Sequence, residues 1–260
     1  MEPHRRCESC TSRGKVWNYT YKPDPRFHGE GPLYLGLELE VIVPRSRYDT
    51  CAGLATDRLG GLGYLKRDSS IQPCGFEVVT HPLSYRYALD SFPWLLLDEL
   101  HERGCRADAS VGLHVHASRA GFDNPAHIYR WLKLLYRNES AVTRLAGRRT
   151  HYAQFDSVAR ARARDTAKGP QHALGLERYQ AINPLPRHTL ELRVFASSLD
   201  VRRVQSALAF TAASIAYTRG LRVADVRAGA WEWTRFAAWV GTHPDYAPLA
   251  AELEDLACAC

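Results

Sequence analysis

Four short stretches of this sequence set ionisable side chains at alternating positions between apolar ones. They are Leu37–Val41 with Glu38 and Glu40, Phe76–Val78 with Glu77, Leu113–Ala117 with His114 and His116, and Leu190–Val194 with Glu191 and Arg193. In an extended chain, residues i and i+2 leave the same face, so each stretch presents one apolar face and one face of Glu, His or Arg. Carboxylate oxygens joined by imidazole suit Mg²⁺ or Mn²⁺ better than zinc. Glu38 and Glu40, about 6.5–7 Å apart along a strand, could serve neighbouring ions flanking a phosphate. Arg193 beside them could neutralise charge on a transferring phosphoryl group. The chemistry this pattern suits is metal-assisted work on a nucleotide.

The plain alternative is a half-solvated antiparallel sheet, for which apolar-in, polar-out alternation is ordinary. Solvated faces, however, draw on Lys, Thr, Ser and Gln, whereas these positions hold carboxylates, imidazoles and a guanidinium. Four carboxylates on one face repel one another unless cations lie between them. Other phosphate and nucleophile signatures are missing: the sequence has no G-x-x-x-x-G-K-[ST], no G-x-G-x-x-G and no G-x-S-x-G.

The elements that must position these residues are legible in outline. Alternation predicts strands over Leu33–Val43, Tyr64–Arg67, Phe76–Thr80 and Val111–Ser118, and a hairpin of Tyr179–Asn183 with His188–Phe195. Helices are expected over Arg47–Leu59, from Ser84 to Gly104 with a disturbance at Pro93, and after the start signal Asp123-Asn124-Pro125. Asp200 should cap a long apolar helix to Thr218, with two further helices after it. The fold class expected is α+β: an antiparallel sheet with one face forming the metal–nucleotide site and helices on the other. Residues 1–32 read as an N-terminal extension and residues 33–260 as one domain.

The composition is that of a folded protein: 260 residues, 45% apolar and 24% charged. The net charge is +6 and the sequence pI about 9.0. Only five of the 34 basic residues are Lys; the rest are Arg, which favours recognition of carboxylate and phosphate. No stretch reads as a membrane span or a signal peptide, so the expected location is cytoplasmic. Cys51, Cys74 and Cys105 read as free thiols. Cys7 with Cys10 and Cys258 with Cys260 could together hold a structural zinc if the termini met, although neither pair has a full finger spacing.

Four motifs in order carry a family resemblance: Gly36–Glu40, Asp68-Ser-Ser followed by Gly75–Leu83, Gly112–Ser118, and Thr189–Phe195. They resemble the amidoligase family of phages and bacteria, a branch of the glutamine synthetase-like carboxylate–amine ligases, over roughly residues 33 to 218. The resemblance implies a glutamine synthetase-like catalytic fold using ATP and Mg²⁺ (or Mn²⁺). It implies metal ligation by Glu38, Glu40, Glu77, His114 and Glu191, and contact of His116 with an ATP phosphate. It places Ser118 near the adenine and gives Arg193 the γ-phosphoryl group. The implied reaction joins a carboxylate substrate to an amine through an acyl phosphate.

Arg144, Arg148, Arg149, Arg160, Arg162, Arg164 and Lys168 crowd the stretch between the two halves, opposed by Asp156 and Asp165. This reads either as a solvated basic loop or as a lid closing on ATP or an acidic substrate. Arg148 stands out because its Ala146-Gly-Arg step resembles the family pattern, and Arg178 is a second candidate clamp. His81 and His151 read as satisfied structural histidines. Competing functions are a phosphotransferase on the same scaffold and a basic nucleic-acid-binding module; a zinc hydrolase built on His114 and His116 suits the surrounding carboxylates less well.

Overall fold

The computed structural model describes residues 16–258. A two-residue strand, β1 (Val16–Trp17), precedes the long strand β2 (Tyr34–Ile42). Leu35, Leu37, Leu39 and Val41 of β2 are fully buried, so its alternation becomes one apolar face. Each such side chain contributes about 1.5–3 kcal/mol on burial. The strand ends before Pro44, and a 3-10 turn leads into α1 (Tyr48–Leu59). Gly60, at φ +52°, stops that helix in a conformation few other residues adopt.

Strands β3 (Gly63–Lys66), β4 (Gly75–Thr80) and β5 (Leu83–Ser84) follow. Pro93 interrupts the next helical stretch as expected, leaving α2 (Tyr85–Ser91) and α3 (Leu95–Glu102). After β6 (Gly112–Ser118), the Asn124 side chain caps α4 (Pro125–Arg137) by accepting from the His127 N–H at 3.0 Å. The chain continues in α5 (Glu139–Ala146), closed by Gly147 at φ +67°. The Arg-rich stretch is built of short helical pieces, including α6 (Ser157–Ala161) and α7 (Ala163–Thr166). The expected hairpin forms as β7 (Ile182–Asn183) and β8 (Thr189–Ala196), and Asp200 caps α8 (Val201–Arg219). Three helices follow rather than two, because a turn at Gly229 (φ +87°) separates α9 (Val223–Arg227) from α10 (Trp233–Gly241), before α11 (Ala247–Cys258).

The sheet runs β1-β3-β4-β2-β6-β8-β7, with β5 paired to the start of β2. It is mostly antiparallel, compatible with the α+β expectation, and β1 lies parallel to β3. The apolar face and the helices share one core. At its centre Trp131 of α4 is fully buried and donates from Nε1 to Ser214 Oγ of α8 at 2.9 Å. Among the described residues no helix is long and apolar enough to cross a membrane. Cys51, Cys74, Cys105 and Cys258 are free thiols. Cys7, Cys10 and Cys260, which the zinc expectation needs, lie outside the described residues.

Candidate metal centre

Strand register gathers the polar residues. Glu38 lies directly opposite His114, Glu40 opposite Glu77, His116 opposite Glu191, and Glu191 opposite Asn183. The five strands β4, β2, β6, β8 and β7 thereby lay one continuous polar strip across the sheet. One irregularity is needed. Leu113 pairs with Phe195 but Val115 with Leu192, so two residues of β8, Arg193 and Val194, oppose His114 alone. This β-bulge changes the parity of the strand. It keeps Glu191 and Arg193 together on the polar side while Phe195 joins the core at 6.0 Å from the Phe210 ring. The inward packing expected of Leu190, Leu192 and Val194 holds, and the bulge breaks the alternation at Phe195, which is buried beside Val194.

The carboxylates share a small set of partners. Nδ1 of His114 is 3.4 Å from Glu38 Oε2 and 3.5 Å from Glu191 Oε1, and its Nε2 is 3.9 Å from Glu40 Oε1. Glu40 also accepts the Gly112 N–H at 2.6 Å. Glu191 accepts from Asn183 Nδ2 at 2.7 Å and from Arg193. Nε2 of His116 sits 3.3 Å from Glu38 Oε1 but is not aligned for a hydrogen bond, while its Nδ1 is 3.1 Å from Thr189 Oγ1. Glu77 faces Lys66 Nζ at 3.6 Å, and its Oε2 has no hydrogen-bond partner.

Charge is unevenly held across this strip. Burial opposes ionisation of Glu38, but the charge of His116 and the hydrogen bond from His114 outweigh it, leaving the carboxyl well below its usual range. Glu191 is likewise lowered against burial by His116 and His114. His116 is pushed up to about 9: burial works against its charge, and Glu38, Glu191 and Glu77 overcome it. Glu77 is the opposite case. Burial and the neighbouring Glu38 charge raise it well above the usual range, with Lys66 offsetting only part. Without a cation, the clustered charge favours the protonated imidazole of His116, and burial opposes ionisation of Glu77.

Among the described residues, three groups offer donor atoms within 4.8 Å of one another: Glu38 with His116 and Glu191, Glu38 with Glu77 and His114, and Glu40 with Asp68 and Glu77. Glu38 and Glu77 are each shared, so the groups are adjacent. Oxygen donors predominate, and two buried donor atoms, Glu77 Oε2 and His116 Nε2, have no hydrogen-bond partner. The residues fit a hard divalent cation such as Mg²⁺ or Mn²⁺. Buried acidic and imidazole groups here could hold a metal ion.

Of the residues singled out in the sequence, Glu38, Glu40, Glu77, His114, His116, Glu191 and Arg193 come together. Arg148 joins them: it is buried, and a Cβ at Gly112 would lie 2.3 Å from its Nη1 and 2.8 Å from His114 Nε2. Gly112 leaves the guanidinium room to lie over β6. Ser118 is used by the backbone, accepting from the Tyr34 N–H at 2.9 Å and donating to the Pro32 carbonyl at 3.2 Å. Arg178 stands three contacts from Glu77, through Tyr19 and Lys66. It donates to the Tyr19 and Tyr179 hydroxyls, and Lys66 Nζ lies 5.0 Å over the Tyr19 ring. His81 is buried, as expected, but His151 is exposed beside Tyr152, which corrects its reading as a satisfied structural histidine.

Sequence reasoning missed Lys66, Asp68 and Asn183 as site residues. Lys66 and Asp68 keep the i, i+2 spacing past the end of β3, a signal that was available. Asn183 had none, because only strand register puts it against Glu191. Comparison with models of known protein families and with the curated proteins found no match.

Proposed function

We propose that this chain is an ATP- and divalent-cation-dependent ligase that joins a carboxylate to an amine. The observation that carries the reading is the single polar strip on which four strands deliver Glu38, Glu40, Glu77, His114, His116, Glu191 and Arg193. The motif resemblance to the amidoligase family supports the same reading independently of the geometry.

Bound divalent cations would supply charge neutralisation of the triphosphate. Glu38, Glu40, Glu77, His114 and Glu191 would hold them, with Asp68 and His116 completing the outer groups. Asn183 holds Glu191, which in turn holds Arg193, and Arg193 would donate to the γ-phosphoryl oxygens as charge shifts. The substrate carboxylate attacks the γ-phosphorus, the bond to the bridging β–γ oxygen breaks, and ADP leaves. The amine nitrogen then attacks the acyl carbon, the carbon–oxygen bond to phosphate breaks, and the amine proton passes to solvent. In such transfers the protein's contribution is mainly position and charge. Arg148, at the edge of the strip, is placed to orient the carboxylate.

The test is mass spectrometry of products after incubation with ATP, Mg²⁺ and pooled carboxylates and amines, with Glu191→Gln as the control. An adduct of acid plus amine less water, together with ADP and phosphate, is expected from the native chain and absent from the variant. A stable phosphorylated product without amide would make the chain a phosphotransferase. No nucleotide turnover, with steeply salt-dependent binding to any duplex, would make it a nucleic-acid-binding module.

A further inference from the structure

The Glu40–Asp68–Glu77 group differs from the other two in having no imidazole: its donors are all carboxylates, within 4.8 Å of one another. Glu40 and Glu77 are buried, so little water screens their repulsion when both are ionised. The chain brings a cation of its own to this group. Lys66 of β3 is the direct register partner of Glu77 on β4, and it is itself buried, at 7% exposure. Its Nζ stands 3.6 Å from Glu77 Oε2, a buried oxygen that has no hydrogen-bond partner. The same ammonium lies 5.0 Å over the ring of Tyr19, a cation–π distance. Tyr19 is more than half exposed, so its ring offers the ammonium a resting place outside the carboxylate group. A buried ammonium is costly unless its charge is compensated, and Glu77 with the Tyr19 ring compensates this one. Loading a divalent cation makes the group more positive whether Glu77 starts ionised or first gives up a proton. A neighbouring ammonium opposes the loading in both cases.

We propose that Lys66 is a tethered counter-ion of the Glu40–Asp68–Glu77 group, an ammonium that an arriving divalent cation must displace, so that it sets the metal affinity of that position below what three carboxylates alone would give. That a divalent cation fills the group rests on the metal centre of the ligase reading; Lys66 needs no turnover to act.

The experiment is calorimetric titration of Mn²⁺ into the full chain, without ATP. Lys66→Met and Lys66→Gln both remove the charge, and each should tighten the binding of one Mn²⁺ by about tenfold. Lys66→Arg keeps the charge and should stay near native affinity. A purely structural lysine would not give tighter binding on its loss. Added to Lys66→Met, Asp68→Asn should abolish the gain, because the tightened ion belongs to the group that Asp68 completes. The proposal is overturned if both neutral variants bind Mn²⁺ as the native chain does or more weakly, if Lys66→Arg tightens binding equally, or if the gain survives Asp68→Asn intact. No Mn²⁺ binding by the native chain or by any variant would sink the metal centre and this role of Lys66 with it. Native binding left unchanged by both neutral variants would sink the role of Lys66 alone. The expected pattern without ATP turnover would uphold Lys66 and sink the ligase reading.

Discussion

Glu38 and His114 face each other as direct register partners on adjacent antiparallel strands, with His114 Nδ1 3.4 Å from Glu38 Oε2. The same carboxylate turns its other oxygen to His116, so Glu38 belongs to two of the three donor groups. Its replacement should cost more than that of a residue confined to one group. Glu38→Gln is expected to weaken Mn²⁺ binding, measured by calorimetry, by more than the roughly 10–100-fold typical of losing an outer partner. Retention of native affinity would remove Glu38 from the centre.

Asp68 and Glu77 separate the groups from one another. Asp68 enters only one, with Glu40 and Glu77, whereas Glu77 enters two. Asp68→Asn should therefore remove one Mn²⁺ from the binding stoichiometry and leave the others near native affinity. Glu77→Gln should disturb two. Identical titration curves for the two variants would show that the groups do not act as distinct positions.

The pH dependence of the metal-free chain follows from His116 and Glu77. His116 is raised from its ordinary 6.5 to about 9, so its stabilising charge is fully present below about 6.5 and lost as pH rises toward 9. Glu77 is raised too, and its proton must be surrendered in the same direction. Glu38 and Glu191 are lowered, so their contribution holds above the usual carboxylate range and fails only in acid. With a chelator present, Tm should fall between pH 6.5 and 9. Mg²⁺ should shrink that fall and release protons on binding, seen as a buffer-dependent heat. A flat chelator profile would contradict this assignment.

Arg193 separates binding from chemistry. Held by Glu191, it should contribute where phosphoryl charge shifts rather than where ATP first docks. Arg193→Ala is expected to lower kcat by roughly 10²–10³-fold with a smaller effect on the KM for ATP. A change confined to KM would place Arg193 in nucleotide binding alone.

Gly112 tests the route of Arg148. The extra methyl of Gly112→Ala meets the Arg148 guanidinium and, less closely, Nε2 of His114, so the strand should survive while both side-chain ends are displaced. Turnover should drop with Tm lowered by no more than about 2–4 °C, the equivalent of about 1 kcal/mol in a chain of this size. Native turnover would mean that Arg148 acts elsewhere.

Sequence alone determined which residues could meet and on which faces. Period-two alternation in Leu37–Val41, Phe76–Val78, Leu113–Ala117 and Leu190–Arg193 is a local property of an extended chain, and the cap signals at Asn124 and Asp200 are local as well. Order across the sheet is not local. Only tertiary pairing set Glu38 against His114, Glu40 against Glu77 and Asn183 against Glu191, because register depends on which strands the core brings together. The bulge at Arg193 and Val194 belongs to the same class: one added residue reconciles a polar strip with a buried Phe195, and neither stretch of sequence records the conflict by itself. Arg178 illustrates the converse. Its charge was legible, but folding set it against Tyr19 and Tyr179 while the turn at Gly147 carried Arg148 to the polar strip beside His114.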